Sequence, residues 1–98
     1  MNIQVPTEQI EAFCRKWKVR EFALFGSVLR DDFRPDSDVD VLVTFEEGSR
    51  HSLFDIVDMK LELEELFGRD VDLVQKEGLV NPFRRQHILA NHQVVYAA

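Results

Sequence analysis

The chain predicts an α/β (α+β) fold: a small three- to four-stranded mixed sheet with helices packed mainly on one face. Three observations lead there. Helix-period and strand-like segments alternate along the whole sequence in the order α β α β α β α β, the pattern of one sheet covered by helices. The strand candidates are short apolar runs, rich in Val and Phe, as half-buried or buried strands require. Turn and capping residues stand between them, and no repeat, linker or low-complexity stretch interrupts the order. At 98 residues we expect a single domain spanning 1–98.

The elements follow in turn. Thr7 is placed to cap a first helix over 7–18, with Glu8 and Glu11 near its positive end. Ile10, Phe13, Cys14 and Trp17 fall at helical spacing and form one apolar face. Glu21-Phe22-Ala23-Leu24-Phe25 reads as a buried strand that Gly26 stops. Ser27 to Arg30 start a short helix, and the polar, proline-containing stretch 31–37 is a loop. Val39 to Phe45 is a strand whose period of two puts Asp38, Asp40 and Leu42 on one face and Val39, Val41 and Val43 on the other.

Ser52 and Asp55 form a near capping box for a long helix that ends at Gly68. Its broad apolar face is expected from Leu53, Ile56, Val57, Leu61, Leu63, Leu66 and Phe67. Asp70-Val71-Asp72-Leu73-Val74 is a third strand. Asn81 and Pro82 are the cap and first residue of a last helix running to about Asn91, and Gln93 to Tyr96 supply a fourth, short strand.

Composition narrows the function. Apolar residues make up 45% and charged residues 31%, the balance of a soluble globular chain rather than a disordered one. The net charge of −6 argues against direct nucleic-acid binding, which needs a basic surface. It is compatible with a phosphate site whose positive charge comes from metal ions, or with a basic protein partner. Cys14 is the only cysteine, so no internal disulfide forms and a reducing cytoplasm is expected; its place in an apolar stripe makes it a core filler. No signal peptide and no apolar run near the roughly 20 residues of a membrane span is visible.

The chemistry concentrates in two places. Asp38 and Asp40 stand two residues apart on one strand, which brings their Cα atoms within about 6.5–7 Å of each other on the same face. That separation lets both bind shared Mg²⁺ ions, whose hard-oxygen preference suits carboxylates and phosphates. Two-metal phosphoryl chemistry uses such a pair, one ion activating the attacking oxygen and one steadying the leaving group. Gly26 and Ser27 end the preceding strand. A glycine there allows close backbone approach, and a serine heading a short helix adds a hydroxyl and N–H groups that receive phosphate oxygens. Asp72 is the third carboxylate if its strand lies beside the one bearing Asp38 and Asp40; Asp70 ranks below it.

The stretch Gly26-Ser27, ten residues, then Asp38-Val39-Asp40 resembles the signature of the DNA polymerase β-like nucleotidyltransferases. The whole chain is similar to their smallest branch, the minimal nucleotidyltransferases (MNT). Ser37 to Val43 resembles that branch's second strand, Leu61 to Val74 its helix and third-carboxylate strand, and Ile88 to Tyr96 its ending. The resemblance implies that Asp38, Asp40 and Asp72 are catalytic and hold metal, two Mg²⁺ ions being expected. It implies that Gly26 and Ser27 bind the triphosphate of ATP, with Arg30 one turn beyond assisting; Arg34, Lys60 and Arg69 are weaker candidates. No residue of the signature is missing.

The resemblance further implies a partner, an all-helical HEPN ribonuclease toxin, to whose tyrosine hydroxyl AMP is transferred, the chain acting as antitoxin. A non-catalytic antitoxin that occludes its partner's surface is the alternative; the intact acidic triad favours the enzyme. Small-molecule nucleotidyl transfer is disfavoured, because antibiotic-modifying relatives usually add a domain to hold the acceptor. A homodimer and a hetero-oligomer with the toxin both stay open. Arg85 and His92 formally match a loose Arg-x4-6-His ribonuclease pattern, but the strands conflict with an all-helical fold. His51, His87 and His92 are read instead as loop, helix-face and turn residues.

Overall fold

In the computed structural model, which describes residues 3–30, 33–34 and 36–98, the elements run α1 (Thr7–Trp17), β1 (Val19–Phe25), a 3-10 turn (Gly26–Leu29), β2 (Val39–Phe45), α2 (Leu53–Phe67), β3 (Val71–Gln75), a second 3-10 turn (Lys76–Gly78), α3 (Pro82–Ala90) and β4 (His92–Ala97). Asp31, Asp32 and Pro35 of the expected loop lie outside the described residues.

The four strands form one mixed sheet in the order β3-β2-β1-β4. β1 is antiparallel to both its neighbours, and β2 and β3 are parallel. A parallel pair needs a crossover, and α2 supplies it. One face of the sheet carries Phe22, Leu24, Val39, Val41 and Val43, packed with Ile10, Phe13 and Cys14 of α1 and Met59 and Leu63 of α2. The other face carries Ala23, Phe25 and Leu42 under Leu79 and Ile88. Two helices therefore share one face, as expected, and α3 alone covers part of the other.

Local signals set most boundaries. The Ser52 hydroxyl accepts the Asp55 amide at 3.1 Å, and Asp55 Oδ2 accepts the Ser52 amide at 3.0 Å, the reciprocal cap worth about 1 kcal/mol. Asn81 Oδ1 accepts the amides of Phe83 and Arg84 at 3.0 and 3.2 Å, with Pro82 at the first turn. Glu64 Oε2 accepts the Val71 amide at 3.1 Å, tying α2 to the start of β3. Trp17 Nε1 donates to Glu62 Oε2 at 2.7 Å, tying α1 to α2.

Four expectations need correction. Thr7 is the first residue of α1 and does not cap it; Pro6 precedes the helix without a side-chain cap, and its carbonyl accepts the Ile10 amide at 2.9 Å. β1 begins at Val19, not Glu21, because Lys18 ends α1 in the left-handed region (φ 57°) and a buried valine follows at once. The apolar face of α2 is narrower than read. Ile56, Met59, Leu63, Leu66 and Phe67 pack inward, whereas Leu53, Phe54, Val57 and Leu61 form an exposed stripe. His92 is not a turn residue but opens β4.

Candidate active site

Strand register brings the carboxylates together. Asp40 lies opposite Asp72 across the parallel β2–β3 pair and opposite Phe25 on β1, and Phe25 in turn faces His92 on β4. Asp72, Asp40, Phe25 and His92 thus form one row across the sheet, on the face away from α1 and α2. Asp38 precedes β2 and is exposed, as is Asp72; Asp40 is half-buried. The main chain fixes the start of this edge, since the Val39 amide donates to the Asp70 carbonyl at 2.9 Å.

The Gly-Ser corner closes on Asp40. Gly26 has φ +75°, and a Cβ built on it would lie 2.1 Å from Asp40 Oδ2. Only glycine accommodates both that backbone conformation and that contact. The Ser27 amide hydrogen-bonds the Asp40 carboxylate. The expected short helix is a single 3-10 turn of four residues that ends at Leu29, with Arg30 just beyond it.

Electrostatics mark Asp40 out. Burial raises its carboxyl above the ordinary 3.8, and the negative charges of Asp72 and then Asp38 raise it further. The Ser27 hydrogen bond and the Arg30 guanidinium work in the opposite direction and do not cancel the rise. All three carboxylates, the Gly-Ser corner and Arg30 are thus in mutual electrostatic or direct contact through Asp40. Among the described residues, no three His, Cys, Asp or Glu side chains are gathered closely enough to hold a metal ion.

The weaker cationic candidates stand elsewhere. Lys60 lies on α2, beyond the opposite face of the sheet, and pairs with Glu64 at 3.4 Å. Arg69 Nη1 donates to the Arg34 carbonyl at 2.8 Å, and its guanidinium lies 4.5 Å over the Phe33 ring; both arginines serve the loop before β2. His51 is held between Phe45 and the Trp17 carbonyl, 2.7 Å from its Nε2.

A cleft of about 730 Å³ opens in front of this corner. Gly26, Leu29, Arg30 and Asp40 line one side; Arg84, His87, Ile88 and Asn91 of α3 and its end, with His92 and Gln93, line the other. Its size is within the range of small-molecule sites. Sequence reasoning missed this second wall. The signal was present in the spacing of Arg84, His87 and Asn91, which share a helix face, but only the fold shows that α3 crosses above Asp40. His92 Nδ1 donates to the Leu89 carbonyl at 2.8 Å, which holds its ring at the cleft edge.

Known proteins similar in sequence and fold identify the family. Residues 7–95 match the family model described as the nucleotidyltransferase domain. A Methanocaldococcus jannaschii protein provisionally named as a protein adenylyltransferase is 37% identical over 89 residues, covering 91% of this chain and 92% of that one. The protein adenylyltransferase MntA of Thermococcus cleftensis is 45% identical over 64 residues, covering 65% of this chain and 63% of its own. A solved structure provisionally described as a minimal nucleotidyltransferase is 40% identical, with TM-score 0.71 over 89% of this chain and 86% of that one. The same fold recurs at 19% identity and TM-score 0.76 in a toxin-antitoxin crystal structure with AMP-PNP, over 96% of this chain and 75% of that one. It recurs at 18% identity and TM-score 0.68 in a complex of a tri-AMPylated Shewanella oneidensis HEPN toxin with its MNT antitoxin, over 94% of this chain and 70% of that one. The family match over nearly the whole chain, with relatives 37% and 40% identical over about nine-tenths of it, leads to one assignment: the chain belongs to the nucleotidyltransferase-domain family, in its minimal nucleotidyltransferase branch.

Proposed function

We propose that this chain transfers AMP from ATP to a tyrosine hydroxyl of a partner HEPN ribonuclease toxin in the cytoplasm, and so acts as its antitoxin. The observation that carries the reading is the contact of Gly26 and Ser27 with Asp40, level with Asp72. A phosphate-binding role for this corner is supported by its closeness to Asp40, by the level position of Asp72 and by the Arg30 charge that acts on Asp40. The relatives named as protein adenylyltransferases and the toxin-antitoxin complexes of the same fold support the acceptor class.

The donor set fits a divalent cation. Asp38, Asp40 and Asp72 offer only hard oxygens; the carboxyl of Asp40 is raised first by burial and then by the charges of Asp72 and Asp38, and a cation would relieve that repulsion. Asp38 and Asp72, both exposed, would turn toward Asp40 to share the ion. Bound there, Mg²⁺ would neutralise the phosphate oxygens and polarise the α-phosphorus.

The chain's own part is positioning. Gly26 lets the main chain approach the triphosphate, Ser27 and Arg30 hold its oxygens, and the carboxylates fix the reacting edge. The phenol oxygen forms a bond to the α-phosphorus, the α–β bridging bond breaks, pyrophosphate leaves with the electron pair, and the phenol releases its proton. Holding these groups in line supplies most of the barrier reduction available without covalent catalysis. The product tyrosine bears a new negative charge and bulk, which repels and blocks RNA phosphate.

A second reading, inhibition by surface occlusion alone, has one observation in its favour: the exposed stripe Leu53, Phe54, Val57 and Leu61, a surface type that marks protein contacts. Labelled ATP separates the two. With ATP labelled at the α-phosphate, the chain should label the all-helical protein encoded beside it; with ATP labelled at the γ-phosphate, it should not. Neutralisation without label from either position supports occlusion.

A further inference from the structure

The acidic character of this chain stops abruptly. After Glu77 the sequence holds no Asp or Glu; residues 78–98 carry Arg84 and Arg85 alone among charged side chains. The other 10 basic residues and all 18 acids lie in 1–77, a net of −8 there against +2 in the final segment. The fold turns this asymmetry into a feature of the cleft. Ile88 is 4% exposed and packs with Ala23, Phe25 and Leu42, pinning α3 above the sheet face that bears Asp40. Arg84, one turn before Ile88, is then set on the cleft wall facing Gly26, Arg30 and Asp40.

The two adjacent arginines differ. Arg85 donates from Nη1 to the Lys76 carbonyl at 3.2 Å, which fastens α3 to the turn after β3, and it is not part of the cleft lining. The Arg84 guanidinium has no hydrogen bond or ion pair among the described residues, and its side chain is exposed. Arg30 is among the charges that act on Asp40, and Arg84 lines the same cleft from α3. Both guanidinium groups line the one cleft, so an anion bound there is attracted by both charges.

We propose that Arg84 is a second anchor for the substrate's phosphate chain, contacting its β- and γ-phosphates from the α3 wall, opposite Arg30. The inference rests on the nucleotidyl-transfer reading above. That reaction engages the α-phosphate at the acidic edge, so a cation in the same cleft with no partner among the described residues complements the charge that remains, which lies on the β- and γ-phosphates and not on the nucleoside. The guanidinium suits this task, because its fixed fork makes paired bonds to phosphate oxygens. The same cation helps hold pyrophosphate after transfer.

Equilibrium binding of ATP, pyrophosphate and AMP, with Mg²⁺, to the full chain tests this. Arg84→Gln should weaken ATP and pyrophosphate about tenfold to a hundredfold, the range of one charge-assisted contact, and leave AMP within twofold. Arg84→Lys should recover only part of the loss, because an ammonium restores the charge without the paired bonds. Arg85→Gln should bind all three like the wild type. Arg84 is exposed, so the melting temperature of Arg84→Gln should match the wild type. Equal weakening of ATP and AMP would put Arg84 at the nucleoside end and overturn the proposal, as would unchanged affinities. A wild-type chain that binds no ATP would remove the nucleotidyl-transfer reading and this proposal with it, whereas wild-type ATP binding that Arg84→Gln leaves intact would remove this proposal alone.

Discussion

Gly26→Ala is the sharpest perturbation available at this site. Gly26 has φ +75°, where an L side chain costs about 1–2 kcal/mol. The new methyl would also sit 2.1 Å from Asp40 Oδ2, 3.1 Å from its Cγ and 3.4 Å from its Cβ. The carboxylate must retreat by about an ångström to reach van der Waals distance, away from its preferred rotamer and from the Ser27 amide. Together these effects add about 1–3 kcal/mol to the backbone cost. A misplacement of that size at the reacting edge lowers transfer about a hundredfold. Gly48 provides the control. Its φ is +81° with nothing within 4 Å of an added Cβ, so Gly48→Ala carries the backbone cost alone. Urea unfolding followed by the fluorescence of Trp17, the single tryptophan, measures both. Gly26→Ala should be less stable than Gly48→Ala by that margin, and the margin should vanish when Asp40→Ala is present in the background. Equal stability of the two alanine variants, or full transfer activity in Gly26→Ala, would refute the contact as the reason for the glycine.

Three further outcomes follow from the charges and burial. The folded Asp40 carboxyl holds its proton more tightly than the unfolded one, so its contribution to stability is complete below the ordinary 3.8 and is lost as pH rises through the raised folded value. Asp40→Asn should therefore melt higher than the wild type at pH 7 and match it in strong acid, while losing transfer; an unchanged melting temperature at pH 7 would contradict the electrostatic account. Mg²⁺ should raise the wild-type melting temperature and leave that of Asp40→Asn unmoved, as mass-action stabilisation requires. Cys14 is buried, and burial, with Glu11 contributing, pushes its thiol up to about 12. A thiol reagent at pH 8 should react only as fast as the chain unfolds, and labelling at the rate of the denatured chain would show that α1 is not seated as described.

Much of this was legible in the sequence because the relevant signals are local. The Ser52–Asp55 box, Gly68 and Asn81-Pro82 each depend on a few adjacent residues, and the helices end where those residues put them. The alternation of Val39, Val41 and Val43 against Asp40 and Leu42 assigns the two sets to opposite faces of β2, as the two core clusters have them. Position in the third dimension was not legible. α2 is apolar on two sides, and nothing in its periodicity says that Met59 faces the core while Leu53 and Phe54 face outward. The side of the sheet taken by α3 depends on Ile88 meeting Phe25 and Leu42, contacts more than 40 residues apart in sequence. For that reason the basic wall is not legible in the sequence, whereas the level position of Asp40 and Asp72 follows once β2 and β3 are neighbours. The close approach of Gly26 to Asp40 was foreseen only in kind, as backbone proximity to a ligand, whereas in the structure the glycine also makes room for the protein's own carboxylate.

The acidic edge either performs a transfer or merely decorates a binding surface. Intact mass spectrometry of the helical partner after incubation with ATP, Mg²⁺ and this chain tests that most directly. The wild type should add the mass of at least one AMP to a partner tyrosine, and Asp38→Asn combined with Asp40→Asn should add none while still binding the partner. A partner whose ribonuclease activity is silenced equally by the wild type and the double variant, with its mass unchanged, would contradict the account.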